Sequence, residues 1–200
     1  MSDRGGRRRK PHGARPHARV SAPSKPRLAL IGFRGVGKSA IARRLAEIWQ
    51  LPLLSLDEQI ERNAGMKIDQ IVQTQGWPAF RDLEYAALQN AAASDRLLLD
   101  CGGGIVEEAN GLRSERKIAL LRERFFCIYI AVSEEKMRYR LSSLSRNASR
   151  PDLTGADSPD KLLEVFRRRE PMYLELAHTV VDVSDTNIGE SALRITQMFK

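Results

Sequence analysis

The run Gly32-Phe33-Arg34-Gly35-Val36-Gly37-Lys38-Ser39 constrains this chain more than any other segment. It has the spacing Gly-x-x-x-x-Gly-Lys-Ser, with the apolar residues Leu28-Ala29-Leu30-Ile31 just before it and a helix-compatible stretch, 40–47, just after. A strand, a glycine-rich loop and a helix in that order are the context in which such a loop cradles phosphate. The glycines let the backbone turn tightly and aim its N–H groups at phosphate oxygens. The new helix presents its positive N-terminus, Lys38 adds a mobile charge, and Ser39 is placed to ligate Mg²⁺. A nucleoside triphosphate is the expected ligand.

The 200 residues suit one domain with a real core, since domains commonly run roughly 100–200 residues. A formal charge of +8 would suggest a nucleic-acid partner if it were spread over the folded surface. It is not. Residues 1–27 hold nine Lys or Arg and one acid, and the remainder holds 24 basic and 24 acidic side chains, so the whole excess lies at the N-terminus. Residues 1–26 are rich in Arg, Gly, Pro and His and poor in apolar side chains, which predicts a disordered basic tail ahead of one domain over 27–200. Non-specific attraction to RNA or anionic surfaces, or service as an organelle transit peptide, are the alternatives for that tail. No apolar run approaches the roughly 18 residues of a membrane helix and no signal-peptide core follows the basic start, so a cytoplasmic protein without a membrane partner is expected. Cys101 and Cys127 stand in apolar strand-like runs without metal-ligand spacing and read as reduced core residues.

Strands and helices alternate. The run 51–56 reads as a buried strand ending at Asp57, followed by helical patterning over 58–63, an interruption at Gly65, a helix from 68 to about 75, and a turn at Gly76 and Pro78. Helix resumes over 80–93, the next strand is 97–101, and Gly102-Gly103-Gly104 ends it in a loop. A helix around 113–124 leads to the continuously apolar strand 126–132, the mark of a sheet covered on both faces. Ser133 caps a helix over 134–141, a polar stretch fills 142–160, a helix spans about 161–176, and 179–183 is the last strand. The expected architecture is α/β: a three-layer, doubly wound sheet of five parallel strands, with ligands at the carboxyl ends of the strands.

The residues that carry chemistry fall at those ends. Asp57 faces the same crevice as Lys38, where a carboxylate can take a hydroxyl proton, although it can also cap the following helix. Arg81 can clamp a substrate carboxylate with two hydrogen bonds or form a surface ion pair with Asp82 or Glu84. The three glycines expose backbone N–H groups to a hydroxylated ligand or simply make a flexible turn. Residues 146–153 place Arg146 and Arg150 four apart between two helices, as a closing lid or an ordinary solvated loop does. One of Arg167, Arg168 and Arg169 can point inward, or all three can form a solvated face.

In order and spacing these segments resemble the shikimate kinase family from Leu28 to Asp182. The shared pattern is the phosphate loop at 32–39, Asp57, Gly76-x-x-x-Phe80-Arg81, the triple glycine, Arg150-Pro151, and Arg169-x-Pro171-x-Tyr173. The resemblance implies a nucleoside-monophosphate-kinase-like fold with a central phosphate-loop strand, a lid and substrate-binding helices. It also implies ATP-dependent phosphorylation of the 3-hydroxyl of shikimate, a step in aromatic amino acid biosynthesis, by a monomer with ATP and shikimate as partners. Asp57, Arg81, Gly102, Gly103, Gly104 and Arg169 would hold shikimate, with both arginines on its carboxylate. Gly35, Val36, Gly37, Lys38, Ser39 and Ala40 would hold the phosphates, Lys38 and Arg150 would neutralise the moving phosphoryl group, and Ser39 would bind Mg²⁺.

Two departures from the family pattern matter. Its Asp-x-Asp around the second strand is here Ser55-x-Asp57, and Asp100, at the end of the neighbouring strand, is the candidate to take over metal orientation, or else caps the glycine turn. An arginine common seven residues before the Arg-Pro pair is here Ser143, leaving Arg146 or Arg140 to stack on adenine. A non-catalytic nucleotide or shikimate sensor, or another small-molecule kinase such as a gluconate kinase, are the competing functions. A specific nucleic-acid binder is the weakest, given the neutral folded part.

Overall fold

The computed structural model describes residues 27–146 and 158–199. Five parallel strands form one sheet: β1 (Arg27–Ile31), β2 (Leu53–Ser55), β3 (Leu97–Asp100), β4 (Phe126–Ala131) and β5 (Thr179–Asp182), in the order β2-β3-β1-β4-β5. The phosphate-loop strand β1 is central, as expected. Leu28, Ala29, Leu30 and Ile31 are wholly buried between helical layers, which is why this strand, like β3 and most of β4, has no polar face.

Seven helices make the connections among the described residues: α1 (Lys38–Trp49), α2 (Leu56–Ala64), α3 (Ile68–Ala92), α4 (Glu115–Arg124), α5 (Glu134–Arg146), α6 (Pro159–Leu176) and α7 (Ile188–Gln197). α1 packs on α7, whereas α3, α4 and α6 pack together. α3 breaks at Gly76, whose φ of 82° and ψ of 170° lie outside the helical region, so the expected turn between two helical pieces is present.

Three expectations need correction. Segment 51–56 yields a strand of only three residues at the sheet edge, with Leu53 37 % exposed rather than buried, and helix α2 already begins at Leu56. Ser55 explains the early start, because its hydroxyl accepts from the Glu58 N–H (3.4 Å) and caps the helix that Asp57 was expected to precede. Second, α5 runs on to Arg146, so that residue ends a helix rather than opening a loop. Third, α7 was not anticipated, although Asn187 and Glu190 form a reciprocal capping box at its start, a spacing visible in the sequence.

Candidate active site

The phosphate loop leaves β1 through Gly32, where a Cβ would lie 2.7 Å from the Ile130 carbonyl oxygen. It enters α1 through Gly37, the helix N-cap, at φ 98°. Lys38 is the first helical residue; its side chain is buried and its Nζ donates to the Phe33 carbonyl at 2.9 Å. Burial lowers the pKa of this amine, and the nearby carboxylates of Asp100 and Asp57 oppose the shift. Arg140 on α5 braces the loop from outside, donating to the carbonyls of Val36 (3.1 Å) and Val183 (3.4 Å).

Asp100 ends β3 in register with both Leu30 on β1 and Ser55 on β2. Its carboxyl is buried and pushed upward by desolvation, against hydrogen bonding from Ser39 and the charge of Lys38. One oxygen, Oδ1, is buried without a hydrogen-bond partner. A serine hydroxyl beside a half-satisfied carboxylate, next to a phosphate loop, fits Mg²⁺, which keeps most of its waters and takes few protein ligands. Among the described residues no group of three or more His, Cys, Asp and Glu could hold a metal on protein ligands.

Asp57 occupies the first turn of α2, and Ser55 relieves it of capping. Its side chain is exposed to solvent, yet the protein packed around it desolvates the carboxyl on the inner side, and this, reinforced by Glu84, raises its pKa from 3.8 to about 6. The triple glycine is imposed by its neighbours. A Cβ on Gly102 would stand 2.7 Å from Asp57 Oδ1, on Gly103 2.9 Å from the Arg34 amide nitrogen, and on Gly104 against both terminal nitrogens of the Arg81 guanidinium. Any side chain there would displace the carboxylate, the phosphate loop or the arginine.

Arg81 does pair with Glu84, at 2.9 Å, but the pair is buried rather than on the surface. Its guanidinium lies 5.3 Å from the Trp77 ring centroid and 5.2 Å from that of Phe80, and its Nε is buried without a partner. Of the three consecutive arginines on α6, Arg169 points inward. It donates from Nε to Glu107 (2.7 Å) and from Nη1 to the Gly103 carbonyl (3.0 Å), which also accepts from the Tyr173 hydroxyl. Arg167 instead pairs with Glu134 on the surface. Trp77, Arg81, Glu107, Arg168 and Arg169 are among the residues lining a cavity of about 210 Å³. A more open hollow of about 470 Å³ at the α2–α3 turn, lined by residues such as Glu61, Met66 and Lys67, gathers none of the expected site residues.

The structure thus brings Lys38, Ser39, Asp57, Arg81, Asp100, Arg169 and the three glycines to the carboxyl edge of the sheet. Arg150 and the side chain of Arg146 lie outside the described residues. Sequence reasoning missed Glu107 and Lys117 and gave Glu84 only as a surface partner. Cys101 and Cys127 are free and buried, and burial raises both thiol pKa values, as suits unreactive core residues.

Comparison with known proteins is consistent with this arrangement. The family model for shikimate kinase matches residues 34–200. The shikimate kinase of Nitratidesulfovibrio vulgaris is 39 % identical over 155 residues, 78 % of this chain and 85 % of that protein. The shikimate kinase of Leptospira biflexa is 34 % identical over 173 residues, 84 % of this chain and 92 % of its own length. Among solved structures, shikimate kinase from Acinetobacter baumannii in complex with shikimate superposes with a TM-score of 0.76 at 28 % identity, covering 88 % of this chain and 93 % of that one. Shikimate kinase from Aquifex aeolicus, at 22 % identity and a TM-score of 0.70, shares the fold, with 86 % of this chain and 94 % of that one covered. With its family model matched from the phosphate loop to the last residue, and with relatives similar over most of their length, the chain belongs to the shikimate kinase family.

Proposed function

We propose that the chain transfers the γ-phosphoryl group of ATP to the 3-hydroxyl of shikimate, giving shikimate 3-phosphate and ADP. The observation that carries this reading is that Arg81 and Arg169 line one cavity, while the glycine segment abuts Arg81 at Gly104 and Asp57 at Gly102, with Asp57 and Arg169 both close enough to Lys38 to act on its charge. Two guanidinium groups suit a ring carboxylate, and Arg81 Nε is a donor still lacking an acceptor. Asp57, with a pKa of about 6, is ionised at neutral pH yet basic enough to take a hydroxyl proton. The hydroxyl oxygen then bonds to the γ-phosphorus, its proton passes to Asp57, and the bond to the β,γ-bridging oxygen breaks to release ADP. Lys38 is assigned to the phosphates, with the loop residues Gly35, Val36, Gly37, Ser39 and Ala40. Arg150 is assigned to the transferring group and Arg146 to the nucleotide, on their sequence positions beside the expected lid.

Mg²⁺ would be held by Ser39 with Asp100 and would supply charge neutralisation on the triphosphate. The same reading takes residues 27–200 as the kinase domain, preceded by a basic tail over 1–26 that catalysis does not need, in a cytoplasmic monomer. No helix among the described residues is long and apolar enough to cross a membrane.

The test is shikimate-dependent ADP release from ATP and Mg²⁺ by the purified chain, with Lys38→Ala and Asp57→Asn as controls. Turnover that both substitutions abolish is expected. Absence of turnover with shikimate, or turnover that survives both substitutions, overturns the reading.

A further inference from the structure

Behind the cavity, two carboxylates are each shared by two cations, and one lysine joins the two groups. Lys117 on α4 is 0 % exposed, and its Nζ donates to Glu84 Oε2 and to the Glu107 backbone carbonyl, both at 2.6 Å. Glu84 also holds Arg81 at 2.9 Å, and the Glu107 carboxylate holds Arg169 at 2.7 Å and Arg168 at 2.8 Å. The Glu107 N–H donates to the Gly104 carbonyl at 3.0 Å, which ties the same residue to the glycine segment. An unbroken series of contacts therefore runs from Arg81 through Glu84, Lys117 and Glu107 to Arg169.

Burying an ammonium costs several kcal/mol, and a core in which apolar residues of similar size replaced both Lys117 and Glu84 would avoid that cost. Stability alone gives no reason for a lysine here. The charge balance gives one. Arg81, Lys117 and Arg169 are enclosed with Glu84 and Glu107, the exposed Arg168 reaches Glu107 from outside, and Glu108, which also attracts Lys117, is held by Arg116, so three buried cations share two buried carboxylates. An anion entering the cavity relieves that excess. Burial already works against the charged form of Lys117, with Arg81 adding to the effect and Glu84 opposing it, so an arriving carboxylate stabilises the ammonium as well.

We propose that Lys117 is a positioning residue, which sets the spacing of the Arg81 and Arg169 guanidinium groups and supplies part of the cation excess that selects a carboxylate-bearing ring. The inference rests on the reading above, in which those two arginines meet the carboxylate of shikimate. It adds a residue that touches no substrate.

Calorimetric titration with shikimate and with its neutral methyl ester tests it, using the unaltered chain, Lys117→Met, and Lys117→Gln, which keeps a donor but no charge. The unaltered chain should favour the acid strongly. Losing one charged hydrogen-bonding group should weaken shikimate binding about 10- to 100-fold while ester binding changes less than about threefold, so the acid-to-ester ratio collapses. ATP affinity should stay within about twofold, which separates repositioned arginines from general loosening of the fold. An unchanged ratio in either variant overturns the inference while leaving shikimate turnover by the unaltered chain untouched. A chain that binds shikimate with the predicted ratios but does not phosphorylate it supports the inference and overturns the proposed reaction. Failure of both variants to fold marks Lys117 as purely structural and overturns its assignment, and absence of shikimate binding to the unaltered chain overturns both.

Discussion

Replacing Asp57 with asparagine should stabilise the protein while disabling it. The carboxylate is held in a crevice that desolvates it, with Glu84 and Asp100 adding repulsion, so its pKa rises from 3.8 to about 6. Each pKa unit corresponds to about 1.4 kcal/mol, so a shift of about two units amounts to about 3 kcal/mol for a fully enclosed group. Asp57 is exposed to solvent, and screening reduces this to about 1–2 kcal/mol at most. The sign follows from proton binding. Between pH 3.8 and about 6 the folded chain holds the proton that the unfolded chain has released, so stability falls as pH rises through that window. Asparagine removes this loss. Lys38 keeps Asp100, the stronger of its two attractive carboxylate neighbours, so the loss of Asp57 does not strand the lysine. Urea denaturation at pH 8 should therefore show Asp57→Asn to be about 1–2 kcal/mol more stable than the unaltered chain, with the gain fading toward pH 4. Turnover should fall about 10²- to 10⁴-fold, the usual contribution of a general base. A variant no more stable at pH 8, or equally stabilised at pH 8 and pH 4, would refute the argument that this carboxylate is held at a cost for its chemistry.

Other consequences are more local. The kcat/KM for shikimate should fall about tenfold per pH unit below about pH 6 as Asp57 takes up its proton, and a profile flat down to pH 5 would remove Asp57 as the base. Gly104→Ala drives a methyl into the Arg81 guanidinium, whose two terminal nitrogens and central carbon it would meet. It should raise the KM for shikimate at least about tenfold with little change in the KM for ATP, as initial-rate kinetics will show. Asp100→Asn should raise the Mg²⁺ concentration needed for half-maximal turnover about 10- to 100-fold, and an unchanged Mg²⁺ titration would show that Asp100 does not stand in for the missing acid at Ser55. Arg140→Ala removes the hydrogen bonds to Val36 and Val183 and should raise the KM for ATP about 5- to 30-fold, leaving shikimate affinity unaltered by calorimetry.

The central architecture was legible because its causes are local. A continuously apolar strand such as Leu28-Ala29-Leu30-Ile31 suits only the middle of a covered sheet, and glycines before Lys38 suit only a loop that approaches something closely. The edge was harder. Leu51-Pro52-Leu53-Leu54 looks like a buried strand, yet β2 has a neighbour on one side only and stops after three residues, where Ser55 starts a helix. Ser55 was legible as a departure from the family pattern, whereas its capping role depends on where the strand stops. The residues behind the cavity were hardest, because a charged side chain on a helix is usually solvated. Their spacing nevertheless carried a signal. On α3 the buried positions include Arg81, Glu84, Leu88 and Ala91; on α4 they are Lys117, Ile118 and Leu121; on α6 they are Leu163, Phe166, Arg169, Tyr173 and Leu176. Each helix places a cation on the stripe that its apolar residues commit to the interior. One such residue is an irregularity that a core can absorb with a single partner. Three of them, on three helices that pack together, force their charged ends toward a common place, and only carboxylates there make the arrangement tolerable. Glu84 and Glu107 supply two buried negative charges against the three buried cations Arg81, Lys117 and Arg169, and the shortfall is the physical reason to expect an anionic ligand at this edge of the sheet.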